Sequence, residues 1–426
     1  MTRLNSARRR SVGALLLALV GLLVLAGCSS GSLGAETVTS TVGSTGGAQA
    51  PDGGSSSGSN TASSTVAAPV ATVAATPAFG TEGLSPIEPL TFKVAQGTID
   101  NVQMTNPDGK AVQQTLSADK TTWTVAEPLG FGKTYTVTGT ATGTDGKQVP
   151  IQGTWSTVSE DTSTRNTINP GDDQTVGVAA PISVSFGAEP QDRDAVAKRI
   201  SITTDPQVEG SWAWIKHDDG RWALDFRTKD YWPAGTKVHV SAKLYGVKLD
   251  DTSYGASDIT SDFVIGRNQV VYADVNSHDL IVKQNGQVTA TYPASFGRGD
   301  DTGDPNLVTR SGVHVVTDKA EQYLMNNPRY GYTNSLQYWT VRISNNGEFI
   351  HANPASANAQ GNSNVTHGCA NLSLADAEAY YNSAIWGDPV EVTGTDIQLS
   401  SEDGDIYIWA MSWADWQAKA VTVGTG

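Results

Sequence analysis

Short stretches of alternating apolar and polar residues, separated by tight-turn signals, run through the chain from residue 84 onward. The stretches "TTWTVAEP" and "KTYTVTGTATGTDGKQV" show the period of two that is typical of half-buried strands. Asp108-Gly109 and Asp145-Gly146 are dipeptides that favour two-residue hairpin turns. Residues 84–158 are therefore predicted to form an all-β sandwich of the immunoglobulin-like type.

A second block, residues 159–266, resembles the first. Trp123 precedes a turn and the strand "GKTYTV" in the first block, and Trp222 precedes Pro233 and "GTKVHV" in the second. We therefore predict a second immunoglobulin-like sandwich, with one of these tryptophans in each core. Neither block gathers a set of reactive side chains, which favours spacers or binding modules.

The formal net charge of −15 restricts the partners of the chain. Nucleic-acid binding depends on basic patches, and the sequence offers none. An acidic chain is also not drawn to an anionic membrane surface by charge. We therefore exclude nucleic acid as a partner and expect membrane attachment to depend on a lipid.

The N-terminus carries the signals for such a lipid. Four arginines precede the apolar run "VGALLLALVGLLVLAGC", which ends at Cys28. This pattern predicts a signal peptide over residues 1–27, and "LAGC" resembles a bacterial lipobox. We predict export, lipidation of Cys28 and anchoring to the outer face of the cytoplasmic membrane, with an ordinary signal peptide as the alternative. Residues 28–83, rich in Ser, Gly, Ala and Thr, are predicted to be a flexible tether.

The strand pattern continues over residues 267–395 and includes one helix. Residues 373–388 carry apolar side chains at a period of 3.6, with Ser373 as N-cap and Gly387 as stop signal. We predict a β-rich domain in which this short helix follows Cys369.

Residues 396–426 form a Trp-rich C-terminal segment. Trp409, Trp413 and Trp416 are spaced as on one face of a helix. This spacing predicts a helix whose indoles pack on a neighbouring domain.

Cys369 is the second of only two cysteines, and lipidation of Cys28 leaves it without a disulfide partner. A lone thiol in an exported protein is either a nucleophile or a small buried apolar group. His367 lies two residues before it and His351 eighteen, and we expect a nearby imidazole and the amides of the following helix to favour the thiolate. Gly368 permits the close backbone approach that an oxyanion pocket requires. Spacing alone leaves the base, and the choice between a reactive and an inert cysteine, open.

The string "THGCAN" at residues 366–371, with the upstream His351, resembles the signature of L,D-transpeptidases of the YkuD type. Two immunoglobulin-like domains before a catalytic domain and a Trp-rich C-terminal segment also resemble exported members of this family. The resemblance implies that Cys369 forms an acyl-enzyme, that His351 is its general base and that the backbone carbonyl of Ala352 orients the imidazole. The residues that it implies for the wall of the site are His367 and Gly368, and those for substrate contact are Tyr332 (or Tyr330), Asn346, Gly347, Asn371 and Met325.

The same resemblance implies a reaction. Enzymes of this type cut a tetrapeptide stem of peptidoglycan after its third residue, release D-Ala and pass the acyl group to an amine of another stem, which forms a 3→3 cross-link. Donor and acceptor stems are therefore the expected partners, and carbapenems are expected to acylate the cysteine. We expect no cofactor and no metal, because Lys248 stands where an acidic calcium ligand would be expected in the second domain.

Two other functions stay open on the sequence. One is a different thiol enzyme, such as a sortase-like anchoring enzyme or a peptidoglycan hydrolase. A sortase is expected to have an arginine close to its cysteine, and none lies between Gln360 and Asp388. The other is a non-catalytic wall-binding lipoprotein with a relict site, against which the intact His351 and Cys369 argue.

Overall fold

The structure is a computed structural model that describes residues 69–299, 304–400 and 407–425. The predicted signal peptide, Cys28 and the predicted tether up to residue 68 lie outside the described residues. The described part is mainly β, as predicted, and its strands enclose three large hydrophobic cores. No helix in these ranges is both long enough and apolar enough to cross a membrane.

The first domain is a sandwich of two antiparallel sheets over one core. Its strands are β1 (Thr72–Thr76), β2 (Thr91–Ala95), β3 (Gly97–Thr105), β4 (Gln114–Leu116), β5 (Thr122–Val125), β6 (Thr134–Gly143) and β7 (Gln148–Ser156). The sheets have the orders β1-β2-β5-β4 and β3-β6-β7. Trp123 is fully buried in this core, as predicted, and stacks on Trp155 with ring centroids 6.4 Å apart.

The first domain begins earlier than predicted, because β1 lies inside the predicted tether. This strand pairs with β2 over its whole length, from Thr72 opposite Ala95 to Thr76 opposite Thr91. Phe79 follows it and packs against Trp155 at 4.8 Å between ring centroids. Small apolar side chains on alternate positions, together with one aromatic ring, are therefore sufficient to attach this segment to the core.

The second domain is also a sandwich, as predicted. Its elements are β8 (Ser163–Thr164), β9 (Thr167–Asn169), β10 (Thr175–Val176), β11 (Ile182–Ser185), α1 (Arg193–Ala197), β12 (Ile200–Asp205), β13 (Gly210–Lys216), β14 (Trp222–Thr228), β15 (Lys237–Ala242), β16 (Tyr254–Gly255) and β17 (Ile259–Ile265). The sheet β10-β17-β15-β12 faces a sheet that contains β13, β14, β11 and β9, and β8 pairs with β16. The prediction of Trp222 as the core residue is wrong: it is partly exposed under the Arg193 guanidinium, and Trp212 and Trp232 occupy the core instead.

The third domain contains a five-stranded sheet, a four-stranded sheet and one helix around a single core. Its elements are β18 (Gln269–Asp274), β19 (Asp279–Gln284), β20 (Gln287–Pro293), β21 (Gly312–Val315), β22 (Asp318–Asn327), β23 (Tyr332–Arg342), β24 (Phe349–Ala352), β25 (Ala370–Leu372), α2 (Leu374–Ser383) and β26 (Pro389–Thr393). The sheets have the orders β20-β19-β18-β26-β21 and β22-β23-β24-β25. Ser373 caps α2 as predicted, since its hydroxyl accepts from the N–H of Asp376, but the helix ends at Ser383, before the predicted stop at Gly387.

The C-terminal segment returns to the second domain. It comprises a 3-10 turn at Tyr407–Ala410, α3 (Trp413–Gln417) and β27 (Ala420–Val421), and β27 pairs with β13. Trp416 is fully buried against the second domain and its Nε1 donates to the Ser211 carbonyl at 3.1 Å. The Arg227 guanidinium lies 4.5 Å from the Trp409 ring and 5.5 Å from the Trp413 ring. The prediction that the indoles pack on a neighbouring domain is therefore confirmed.

Candidate active site

Strands β24 and β25 bring His351 close to Cys369. Every residue of both strands is buried, which is typical of parallel strands that are covered on both faces. The two strands pair in parallel, with Ile350 opposite Ala370 and His351 opposite Asn371, and Cys369 directly precedes β25. The seventeen intervening residues thus return the chain to the level of the histidine, and both side chains line one cavity.

His351 is a neutral imidazole with a fixed tautomer. Its Nδ1 lies 2.9 Å from the Ala352 carbonyl oxygen, which can only accept, so Nδ1 carries the proton and Nε2 is free to accept one. Burial lowers the pKa of His351 to about 4, although the hydrogen bond to Ala352 acts in the opposite direction. This geometry agrees with the orienting carbonyl that the sequence resemblance implied.

Cys369 rests as a thiol, which corrects the expectation of a thiolate. Its side chain is partly exposed, yet the dense surroundings raise the pKa of the thiol to about 12 through burial, and nearby Glu348 raises it further. The S–H donates to the Gly347 carbonyl at 3.7 Å. The helix does not begin directly after the thiol, because β25 separates Cys369 from α2 in the chain.

The loop before Cys369 is held by hydroxyl groups on both sides. The Thr366 hydroxyl donates to the Cys369 carbonyl at 2.7 Å and accepts from the N–H of Gly368 at 3.2 Å. The Thr309 hydroxyl donates to the Gly368 carbonyl at 2.8 Å. Gly368 has φ +112°, and a Cβ atom there would meet no atom closer than 3.5 Å. The position therefore favours glycine for its backbone conformation, and the predicted close approach of the backbone to an oxyanion stays a prediction.

Two cavities meet at Cys369. The first, called here the histidine cavity, has a volume of about 320 Å³ and contains His351. The second, called here the arginine cavity, has a volume of about 250 Å³ and is lined by Arg310, Arg329 and Arg342. The residues that line both cavities are Met325, Tyr332, His367 and Cys369.

The predicted substrate-contacting residues divide between these cavities. Asn346 and Gly347 line the arginine cavity, and Asn371 lines the histidine cavity. Asn371 is almost completely buried, and its Nδ2 lies 3.2 Å from the Ser356 hydroxyl, so it forms the floor of the histidine cavity. Gly368, predicted as a wall residue, is buried behind Cys369 and lines neither cavity.

The two candidate substrate-contacting tyrosines, Tyr330 and Tyr332, are held by different neighbours. The Tyr330 hydroxyl donates to Asp304 at 2.8 Å, and its ring stacks on His367 at 4.8 Å between centroids. Tyr332 stacks on His367 at 5.9 Å and lines both cavities. Burial raises the pKa of the Tyr332 phenol, and the negative charge that Cys369 can carry raises it further. These contacts place the Tyr332 phenol near the thiol, whereas the Tyr330 phenol is engaged by Asp304.

Sequence reasoning missed a group of charged side chains beside the thiol. Glu348 is buried among three partners. It accepts from the backbone N–H of Arg310 at 3.0 Å, and its other carboxylate oxygen accepts from the Ser344 hydroxyl at 3.1 Å and lies 3.5 Å from Nδ1 of His314. Arg342 ends β23 and also lines the arginine cavity. The sequence offered two signals for these side chains. Glu348 stands between Gly347 and an apolar strand, and Arg342 stands at the end of a strand.

No metal-binding cluster is present in the parts of the chain that the structure describes, where no three or more His, Cys, Asp or Glu side chains are arranged to hold an ion. Lys248, which stands at the position of an expected calcium ligand, lies 3.2 Å from Asp251 and forms an ion pair with it.

Comparison with known proteins identifies the family. L,D-transpeptidase 5 of Mycobacterium tuberculosis (strain ATCC 25618 / H37Rv) is 48% identical over 344 residues, which are 80% of this chain and 75% of that protein. The chain belongs to the L,D-transpeptidase family. L,D-transpeptidase 2 of M. tuberculosis (strain CDC 1551 / Oshkosh) is 34% identical over 348 residues, which are 80% of this chain and 82% of that protein.

Two family models match separate parts of this L,D-transpeptidase. Residues 268–392 match the L,D-transpeptidase catalytic domain and residues 81–248 match a bacterial Ig domain. The chain is also similar to the solved structure of the L,D-transpeptidase LdtMt1 in complex with imipenem, at 29% identity and a TM-score of 0.44, over 54% of this chain and 99% of that chain. The family models and the relative at 48% identity show that the chain is a transpeptidase enzyme whose catalytic domain follows an immunoglobulin-like region.

Proposed function

We propose that this transpeptidase forms 3→3 cross-links in peptidoglycan through an acyl-enzyme at Cys369 and releases D-Ala from a tetrapeptide donor stem. The observation that carries the proposal is the hydrogen bond from His351 Nδ1 to the Ala352 carbonyl. It leaves Nε2 unprotonated in the cavity that also contains the only thiol among the described residues, and both groups are neutral at neutral pH.

The first half-reaction transfers the donor acyl group to sulfur. As Sγ of Cys369 attacks the carbonyl carbon of the third stem residue, His351 Nε2 takes the thiol proton, so no standing thiolate is needed. Tyr332 and the backbone amides near Cys369 are the proposed donors to the tetrahedral oxyanion. When the intermediate collapses, the C–N bond breaks and His351 gives the proton to the amine of D-Ala, which leaves a thioester on the enzyme.

The second half-reaction transfers the acyl group from sulfur to an amine, which is the first step run in the opposite direction with a new amine. An amine of the acceptor stem attacks the thioester, His351 takes a proton from that amine, and the thiol is regenerated as the new amide forms. A thioester is reactive enough for an amine to resolve it. Two cavities that meet at Cys369 provide room for donor and acceptor at the same time.

Carbapenems are proposed to acylate the same sulfur. Their strained β-lactam carbonyl is attacked by Cys369 as a stem carbonyl is, and ring opening leaves the drug attached as a thioester. The amine that is expelled stays tethered to the acyl group, so it cannot diffuse away as D-Ala does.

Cys369→Ala tests the proposed function directly. We expect this variant to form no acyl adduct with a tetrapeptide donor or a carbapenem by intact-mass measurement, and no 3→3 dimers in muropeptide analysis. The matched control is Cys28→Ala, which removes the other cysteine of the sequence and is expected to acquire one adduct per chain. If purified Cys369→Ala still makes 3→3 dimers, the assignment of the nucleophile is wrong.

For localisation, we propose export and a lipid anchor on Cys28 that holds the catalytic domain at the outer face of the cytoplasmic membrane, towards the cell wall. The support is the "LAGC" string at the end of an apolar run and the acidic composition, which offers no electrostatic alternative. Cell fractionation of Cys28→Ala tests it, and we expect the variant in the soluble fraction. If the variant remains in the membrane pellet after a salt wash, the anchor lies elsewhere.

A further inference from the structure

The charges around the arginine cavity do not balance. Arg310 lies 3.4 Å from Glu348, and Arg329 lies 2.9 Å from Asp304, so two of the three guanidinium groups have a carboxylate partner. Among the described residues, Arg342 has none within ion-pair distance. Its neighbour across the strand pair is Asp318, whose carboxylate accepts instead from the backbone N–H of Lys319 at 2.8 Å.

Arg342 is held in place by contacts with uncharged groups. Its Nη2 donates to the Tyr323 hydroxyl at 3.0 Å, and the guanidinium lies 4.3 Å from the centre of the Phe349 ring. The two aromatic rings also contact each other, with centroids 5.1 Å apart. Among the described residues, one hydrogen bond and two ring contacts are all that engage the guanidinium, which has five N–H donors in a planar fork.

The positive charge of Arg342 contrasts with the negative net charge of the chain, and it lies in the same cavity as the nucleophile Cys369. The protein carries a net charge of −15, whereas Arg342 is partly buried in a cavity whose wall contains Cys369. Burial raises the pKa of the Cys369 thiol, and Arg342 acts against that rise, so its field reaches the sulfur. A fixed guanidinium without an ion-pair partner can bind a planar anion through two parallel hydrogen bonds. The anionic group that a peptide stem can bring to this cavity, next to Cys369, is a carboxylate.

The position of the base decides which part of the donor enters each cavity. The amine that leaves in the first half-reaction must receive a proton from His351, and the acceptor amine must give one to it. Both amines therefore belong on the side of the histidine cavity, whose lining contains no Asp, Glu, Lys or Arg among the residues that the structure describes. The acyl part of the donor, which stays on the enzyme, then occupies the arginine cavity, which Arg342 lines.

We propose that Arg342 binds a free carboxylate on the retained acyl part of the donor stem, so that the enzyme selects donors in which this carboxyl group is not amidated. The inference rests on the proposed function and adds the substrate class to it. A stem can carry such a carboxylate on its second residue or on the side chain of its third. A carboxamide presents an NH₂ group where the guanidinium fork needs a second acceptor, so the bidentate pair is lost.

The test measures the rate of Cys369 acylation by three synthetic tetrapeptide donors on the full chain. One donor has free carboxylates at both positions, one is amidated at the second residue and one on the third. We expect the free acid to react about ten- to hundredfold faster than the donor amidated at the recognised position, which is the usual weight of a charge-assisted hydrogen bond. The slower of the two amidated donors then identifies the source of the carboxylate.

Variants connect the preference to Arg342. In Arg342→Gln the preference should fall to within about threefold, because the charge is gone, and Arg342→Lys should retain part of it. Arg193→Gln is the matched control, since Arg193 also lies over an aromatic ring, Trp222 at 4.1 Å, but in the second domain. This control should keep the full preference.

The outcomes separate this proposal from the proposed function. Equal acylation by all three donors, or an Arg342→Gln variant that keeps the full preference, would overturn the carboxylate site while leaving the transpeptidase chemistry intact. Failure of every donor to acylate Cys369 would overturn both. If Arg342→Gln does not fold, the comparison of donors on the unmodified chain and Arg342→Lys still decides the question.

Discussion

At the scale of single residues, burial acts on His351 and Cys369 in the same direction. It disfavours the charged form of each group, which lowers the pKa of the imidazole to about 4 and raises that of the thiol to about 12. The resting pair is therefore neutral, and the ionic form arises only as the sulfur attacks. A neutral thiol is also less reactive than a thiolate towards oxidants and in disulfide exchange.

The pH profile of acylation follows from this pair. Since the lowered pKa keeps the His351 imidazole unprotonated above about pH 4, we expect the acylation rate to vary by less than about threefold between pH 6 and 8 and to fall as the pH approaches 4. Stopped-flow acylation by a carbapenem measures it. A rate that rises about tenfold per pH unit through neutrality would instead indicate that a thiolate forms before attack.

His351→Ala and His367→Ala are expected to differ. Loss of a general base costs on the order of 10²–10⁴ in rate, so His351→Ala should lose most of its acylation rate. His367 stacks on Tyr330 and on Tyr332, and its removal should cost less because it affects the wall of the site and no proton transfer. The rates are compared for variants of matched thermal stability, and a larger loss in His367→Ala would show that the two roles are reversed.

The reacting residues of this site can be predicted from the sequence, but not the charges around them. Cys369 and His351 belong to a short motif with fixed spacing. The side of β23 on which the Arg342 side chain lies depends on an irregularity in this strand. The pairing of β23 with β24 shifts in register between Tyr338 and Val341. Such a shift changes which side chains face the cavity, and the sequence carries no clear signal for it.

At the scale of elements, the C-terminal segment is fixed by one buried indole. Trp416 packs against Ala213 and Ile215 of β13, and β27 then adds to the edge of the same sheet. Segments near a chain end are poorly ordered unless they are attached in such a way. The helix spacing of the tryptophans predicts this contact, whereas the edge strand of two residues is too short to predict.

Trp416→Ala should therefore destabilise the second domain together with the segment. Removal of a fully buried tryptophan typically costs about 3–5 kcal/mol in the free energy of unfolding. Trp413→Ala is the matched control, because Trp413 is only partly buried and should cost clearly less. Thermal and urea unfolding of the two variants decide it, and equal losses would mean that the indole of Trp416 does not anchor the segment.

Weak strands mark the limit of prediction from the pattern. The residues of β1 are Thr, Val and Ala, with small side chains that bury little area, so the sequence around them reads as a tether. Their order depends on the partner strand β2, which begins fifteen residues after β1 ends. The prediction of Trp222 as a core residue is wrong because its position also depends on a partner distant in sequence. The Arg193 guanidinium covers the Trp222 ring at the surface of the domain.

At the scale of the whole molecule, the second domain is joined to the catalytic domain by polar contacts at several points. The Tyr231 hydroxyl donates to Glu391 at 2.9 Å, and the backbone N–H of Ala179 donates to the Gly387 carbonyl at 2.8 Å. A third contact reaches the active site: Asn345 Nδ2 donates to Asp218 at 3.0 Å. Asp218 belongs to the turn between β13 and β14, and Asn345 to the loop that continues into the arginine cavity.

This third contact predicts that a residue of the second domain tunes acylation. Asn345 is two residues from Gly347, whose carbonyl accepts from the Cys369 thiol, so loss of Asp218 should loosen the loop that positions the sulfur. We expect Asp218→Ala to slow acylation by about two- to tenfold, the weight of one exposed hydrogen bond, with little change in thermal stability. Asp219→Ala is the control, because Asp219 pairs with Arg221 within its own turn.

The double variant Asp218→Ala/Asn345→Ala completes this test. If the two side chains act through each other, the double variant should be no slower than the more affected single variant, since the same contact is lost only once. Losses that multiply, or an Asp218→Ala variant as fast as Asp219→Ala, would show that the second domain does not act on the site through this contact. A coupled result would give the immunoglobulin-like domain a part in setting the geometry at Cys369, in addition to its part as a spacer.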